Sequence, residues 1–190
     1  RATRRGADIT SRLLSFSRRQ PLSPTLIEIK QLLQDTIELL SNSLPDNITI
    51  TTDSQHSDWW PFADPGRLED ALVNLAFNAR DAMPEGGELS FLSRTVKVSS
   101  RLVMDELVHP GHYCEICVTD NGTGFSDQAL TQCFEPFFTS KSNGAGSGLG
   151  LSMVYGFVKQ SKGYISIQNT PEQGATITLL LPAKQPETVA

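Results

Sequence analysis

Long apolar runs are missing from this 190-residue chain. The longest are a few residues, such as the leucines at 179–181. A membrane-spanning helix needs about 18. No signal-peptide pattern opens the chain either. The expectation is therefore a cytoplasmic segment without membrane contact. Cysteine is scarce too: three Cys do not make a disulfide framework, which fits a reducing compartment. Cys114 and Cys117 have CxxC spacing, but HYCEICV around them reads as a strand. Strand side chains alternate, so a three-residue step sends the two sulfurs to opposite faces, which argues against a metal or redox pair. Positive charge is scarce outside the first 20 residues. Six Arg stand there against Asp8, whereas 10 Lys or Arg face 20 Asp or Glu in 21–190. So acidic a body argues against a nucleic-acid-binding surface. The basic start reads as the solvated face of a helix or as a phosphate-seeking arm.

What is present divides cleanly. Residues 2–20 read as a helix broken by Pro21 and Pro24. A second amphipathic helix is expected over 26–40. Strand-like runs follow at 48–52 and 59–63, placing His56 in a hairpin. Asp64-Pro65-Gly66 is an N-cap with Pro at the first helical position, opening a helix that reaches about Met83. Strands are expected at 88–98 and 113–119, a short helix at 127–133 and a longer one at 149–161. Two closing strands are expected at 164–168 and 175–181, and a linker-like tail after Pro182. Helices mixed with antiparallel-looking strands suggest helices on one face of a sheet.

Three segments carry chemistry. On the helix from Leu68, Asn74, Asn78 and Asp81 share a polar edge opposite an apolar arc that includes Ala82. Carboxamide oxygens suit Mg²⁺, which borrows its other ligands from water and phosphate. A polar edge in plain contact with water is the simpler reading. Asp120-Asn121-Gly122-Thr123-Gly124 ends a strand. Its carboxylate accepts hydrogen bonds, as from the amine of adenine, and its glycines admit a flat ring. A tight Asx turn is the alternative. Gly144 to Leu151 is glycine-rich and opens a helix, an anion site of backbone N–H groups. It is neither a Walker loop nor a dinucleotide fingerprint.

In this order the segments resemble the catalytic ATP-binding domain of sensor histidine kinases. These kinases belong to a wider superfamily with DNA gyrase, a heat-shock chaperone and mismatch-repair ATPases. NLAFNARDAMPEGG (74–87) resembles the N box, in the NARDAM form of one subfamily. DNGTG (120–124) resembles the G1 box, FEPFF (134–138) the F box, GAGSGLGL (144–151) the G2 box and GATITLLLP (174–182) the last strand. LLSFSRRQP (13–21) resembles the end of the second dimerisation helix.

The resemblance implies an α+β two-layer sandwich of Bergerat type. Its sheet is mixed but mostly antiparallel, with helices on one face and one partial dimerisation helix before it. The implied domains are that helix at 1–21, the catalytic domain at 25–182 and a linker or tail at 183–190. The implied cofactors are ATP and Mg²⁺. Asn78 would hold the metal, with Asn74 close by, and Asp81 and Ala82 would also belong to the nucleotide site. Asp120 would meet adenine, with Gly122 and Gly124 making room. Gly146, Ser147, Gly148, Leu149 and Gly150 would wrap the phosphates. Thr176 would support the adenine pocket through water. Phe134, Phe137 and Phe138 would anchor a lid over about 126–147, and Lys141 would reach a terminal phosphate.

Two departures qualify the carry-over. Many histidine kinases have Lys or Arg where this chain has Asp81, so the phosphate contact passes to Lys141. The ATP-hydrolysing relatives have a Glu base where this chain has Asn74, and an amide cannot take a proton from water. A phosphoacceptor His is also needed, on a helix before the domain. His56 is expected in a hairpin, and His109 and His112 in a loop, so none qualifies. The expectation is a fragment that binds Mg-ATP and cannot autophosphorylate alone. Its implied partners are its own upstream dimerisation helix, a response regulator or fused receiver domain, and a second copy in a full-length homodimer. A nucleotide-sensing or docking module without phosphotransfer is the alternative. A gyrase-type ATPase is disfavoured by Asn74, and a protein-Ser kinase by LLSFSRRQP.

Overall fold

The computed structural model describes residues 21–55, 57–139, 147–170 and 172–186. The expected dimerisation helix, His56, Lys141 and Gly146 lie outside them. Among the described residues there are four helices: α1 (Ile29–Ser41), α2 (Pro65–Ala82), α3 (Asp127–Gln132) and α4 (Gly150–Gln160). The strands are β1 (Thr25–Leu26), β2 (Ile48–Ser54), β3 (Trp60–Ala63), β4 (Gly87–Val98), β5 (Arg101–Val103), β6 (Glu106–Val108), β7 (Gly111–Asp120), β8 (Tyr164–Thr170) and β9 (Gly174–Lys184). Seven strands make one sheet in the order β1-β3-β9-β7-β4-β2, with β8 also on β9. All pairs are antiparallel except β2 with β4. A parallel neighbour needs a crossover, and β3 and α2 supply it.

Strand parity sorts the two faces. Leu89, Phe91, Cys114, Ile116, Val118, Ile165, Ile177, Leu179 and Leu181 belong to the main core with the helices. From α2 that core takes Leu68, Ala71, Leu72, Leu75, Ala76 and Ala79, the apolar arc read from the sequence. Asp64 starts this helix as expected. Its Oδ1 accepts from Arg67 N at 3.1 Å, and Pro65 follows where no N–H is missed. Cys117 points the other way, with its sulfur 3.6 Å from Thr178 Oγ1, as the CxxC spacing requires.

Four local expectations need correction. Strands β2 and β3 do not form a hairpin. β2 lies at one edge of the sheet beside β4, while β3 pairs with β1 and β9. The chain before α1 is extended, because Thr25 and Leu26 pair with Ala63 and Phe62. The last strand runs to Lys184, which pairs with Trp60, so it continues past the expected strand end at 181. His112 lies in β7 rather than in a loop, and its ring stacks on Trp59 at 3.6 Å.

The sequence also gave no sign of β5 and β6. These strands form a hairpin over the outer sheet face, covering a second core of Val98, Val103, Val108, Tyr113, Tyr164 and Leu180. Its turn, Met104-Asp105, has φ of 47° and 66°. Two positive φ values suit a two-residue hairpin turn, but Asn-Gly is its usual sequence. Among the described residues, no helix is long and apolar enough to cross a membrane.

Candidate functional site

The 18-residue α2 carries Asn74 and Asn78 one turn apart, both half-buried on the edge away from the core. Across from them α4 begins at Gly150. A Cβ built on Gly150 would lie 3.7 Å from Asn74 Oδ1 and 3.7 Å from Asn78 Nδ2. The two amides thus face a helix start. Among the described residues neither amide has a hydrogen-bond partner in the protein. The N-terminus of α4 has no side-chain cap, with Leu149 in the cap position. Free N–H groups and the positive end of the helix dipole favour an anion here. No group of three or more His, Cys, Asp or Glu gathers among the described residues. A cation beside Asn78 would therefore draw most of its ligands from phosphate and water, the habit of Mg²⁺. The carboxamide oxygen is the right kind of donor for it.

Asp120 ends β7, in register with Leu89 and Ala175. The turn after it is tied at nearly every residue. Asp120 Oδ1 accepts from Gly122 N at 2.9 Å. Asn121 Oδ1 accepts from Glu88 N at 2.8 Å, and Thr123 N donates to Ala82 O at 3.0 Å. Gly122 lies flat on the end of α2: a Cβ there would stand 2.4 Å from Ala82 O. The α2 terminus, with Ala82, therefore braces the turn directly.

Burial pushes the Asp120 carboxyl above its ordinary value, and the N–H groups of Gly122 and Ala175 only partly oppose this. The sign has two consequences. A raised folded value means that the folded, ligand-free domain binds this proton more readily than the unfolded chain. The group's contribution to stability is thus greatest at low pH and falls as pH rises through the folded value. A ligand amine needs the ionised form, so nucleotide affinity should rise with pH over that same window. Asp120→Asn should flatten both trends, as calorimetry and melting between pH 4 and 7 would show. Parallel trends in the wild type would contradict the assignment.

The glycine-rich segment meets the Phe-rich one. Phe137 N donates to Gly148 O at 2.8 Å. Gly148 has φ +64°, and a Cβ on it would stand 2.4 Å from the Phe137 carbonyl carbon. Phe137 itself has φ +69° and is exposed, a strained state for a bulky residue. Phe134 is anchored, packing against the main core with its ring 5.0 Å from that of Tyr155 on α4. Ser147 Oγ accepts from Leu149 N at 3.4 Å, and Leu149 is buried.

Asn74, Asn78, Gly148, Leu149 and Gly150 thus come together at one end of α4, and Asp120, Gly122, Gly124 and Ala82 at the end of β7. Thr176 does not join them. It pairs with Thr119 on the outer face, with the two hydroxyls 2.9 Å apart. Ala175 is the residue beside Asp120, and strand alternation turns its neighbour away. Asp81 lies at the solvent edge, bonded by Arg80 at 2.7 Å. Two further residues shape the site, without a local signal for these contacts in the sequence: Asn121, which holds β4, and Asn169, which holds Phe125.

The fold is that of histidine kinase catalytic domains already solved. Full-length ShkA in complex with AMPPNP superposes with a TM-score of 0.77 at 24% identity, over 95% of this chain and 36% of that one. The complex of histidine kinase ThkA with response regulator TrrA gives 0.71 at 21% identity, over 95% and 48%. More particularly, residues 63–185 match the histidine kinase-, DNA gyrase B-, and HSP90-like ATPase family, and the chain belongs to it. Sensor kinase CckA of Brucella abortus is 40% identical over 94% of this chain. The C4-dicarboxylate transport sensor protein DctB of Pseudomonas aeruginosa is 30% identical over 95%. The chain spans 19% of the first and 28% of the second.

Proposed function

We propose that this chain is the Mg-ATP-binding catalytic domain of a two-component sensor histidine kinase. The observation that carries the reading is the pair of amides, Asn74 and Asn78, which have no partner among the described residues and face the uncapped start of α4. The half-buried carboxylate of Asp120 completes the site. Adenine would lie toward Asp120, with its amine donating to the carboxylate and its ring against Gly122 and Gly124. The phosphates would lie toward Gly148, Leu149 and Gly150. Asn78 would hold Mg²⁺, with Asn74 beside it. The ion neutralises charge on the phosphate oxygens when bound.

The chain's own part is to bind and orient, since little covalent chemistry falls to the protein in phosphoryl transfer. The γ-phosphoryl would pass to a His nitrogen on a dimerisation helix other than these residues. From there it would go to an Asp of a response regulator or fused receiver. Asn74 offers no general base, so hydrolysis should be slow. In the whole protein we place the end of the dimerisation hairpin at 1–21, the catalytic domain at 25–182, and a linker after it. Cytoplasmic placement and a homodimer complete the proposal. The sensor-kinase names of the relatives support it.

The test is transfer from γ-labelled ATP. The chain alone should gain no acid-labile phosphate, and a polypeptide carrying its upstream dimerisation helix should gain it when mixed with the chain. Self-labelling of the chain, or ATP binding without transfer to that helix, would refute the catalytic reading.

A further inference from the structure

Asn169 sits near the end of β8, paired with Ala175, which in turn pairs with Asp120. The three form one row across the sheet on the helix side. Asn169 is two strands from Asp120, about 10 Å by ordinary strand spacing, with only the Ala175 methyl between. Its amide is spent on a single distant residue. Oδ1 accepts from Phe125 N at 2.6 Å, and Nδ2 donates to Phe125 O at 2.9 Å. This reproduces the two-bond exchange of paired strand residues, made by a side chain. The amide's orientation follows from its partners, because an N–H must meet the oxygen.

The clamp reaches into the turn after Asp120. Gly124 has φ +68°, and a Cβ there would come 2.6 Å from Asn169 Oδ1. Thr123 O accepts from Glu172 N at 2.9 Å, so the β8–β9 connection grips the same turn a second time. Directly after Phe125, Ser126 caps α3, accepting from Ala129 N at 3.2 Å. The segment that would face adenine is thus held at one end by Ala82 and at the other by Asn169.

We propose that Asn169 is a positioning residue of the adenine subsite, fixing the 122–125 turn against the base by clamping both backbone groups of Phe125. The inference rests on the nucleotide reading above. Its target is the base, not the phosphates, and this distinguishes it from a general structural role.

The experiment measures the affinity of the whole chain for Mg-ATP, Mg-ADP and Mg-ITP, with melting of the nucleotide-free protein. ITP carries an oxo group in place of the adenine amine, so the wild type should prefer ATP. Asn169→Ala should weaken ATP and ADP by a similar factor, about tenfold for two lost hydrogen bonds, and should shrink the preference for ATP over ITP. Asn169→Asp is the near-isosteric second variant. It keeps the acceptor for Phe125 N but sets an oxygen against Phe125 O, so it should not recover the preference. A lower melting temperature with ATP affinity and ATP-over-ITP preference within twofold of wild type would overturn the proposal. Failure of the wild type to bind either nucleotide would instead sink the nucleotide reading, and this proposal with it.

Discussion

Asn78→Ala lowers affinity for Mg-ATP about 100-fold, or about 2.7 kcal/mol, and removes the dependence of binding on Mg²⁺. Asp120→Ala costs a similar factor but leaves the Mg²⁺ dependence intact and removes the preference for ATP over ITP. The two losses differ because the residues face opposite ends of the ligand. Asn78 faces the start of α4 near Gly150, while Asp120 lies at the end of β7 beside Gly122. The Asn78 variant also carries its own control. The Asn78 amide has no partner among the described residues, and Ala is the better helix former by a few tenths of a kcal/mol. The ligand-free domain should therefore melt at the same temperature or slightly higher. A side chain that costs folding something and has no partner in the protein is expected at a site kept for a ligand. Calorimetry with and without EDTA, beside a melting curve, checks all of this. Unchanged affinity in both variants would falsify the site.

The parts of this site that could be read in the sequence are those whose chemistry is local. Asp64-Pro65 announces α2, the Asn74 and Asn78 spacing fixes their common edge, and the glycines before Leu151 announce an uncapped helix start. Thr176 shows where local reading fails. Motif likeness placed it by the adenine, but side-chain direction in a strand has period two, and one residue separates the Asp120 face from the outer face. Asn169 and Phe125 stand 44 positions apart, and only the registers of β8 and β7 on β9 make them neighbours. The β5–β6 hairpin escaped notice because its strands have three residues each, too short for alternation to register. Two of those residues, Leu102 and Leu107, point apolar side chains outward.

Replacing Arg94 and Arg101 together by Ala should cost about 3–5 kcal/mol, the usual result of leaving a buried charge unpaired. For a domain of this size that is a drop in Tm on the order of 10 °C. The charge in question is Glu115, which is 2% exposed on the outer face of β7. Its oxygens accept from Arg94 Nε at 2.6 Å and from an Arg101 guanidinium nitrogen at 3.0 Å. Burial works against the ionised form, but the hydrogen bonds and charges of Arg101 and Arg94 outweigh it and hold the carboxyl below its ordinary value. The stabilisation is accordingly present above the ordinary Glu value and lost as pH falls through the lowered one.

The asymmetry of the cluster makes the test sharp. Both Arg side chains are nearly half exposed, at 49% and 42%, and water can take over their hydrogen bonds. Glu115→Gln therefore removes the buried charge and costs less than the double Arg variant, whose carboxylate has nothing left. The reverse order of melting temperatures would contradict this account. Arg101 also opens β5, so the cluster fastens the hairpin over Val103 and Val108. Loss of the two Arg should first raise amide exchange in β5 and β6. Nucleotide affinity should hold within twofold at temperatures where the variant is folded, because Glu115 and Asp120 lie on opposite faces of the same strand.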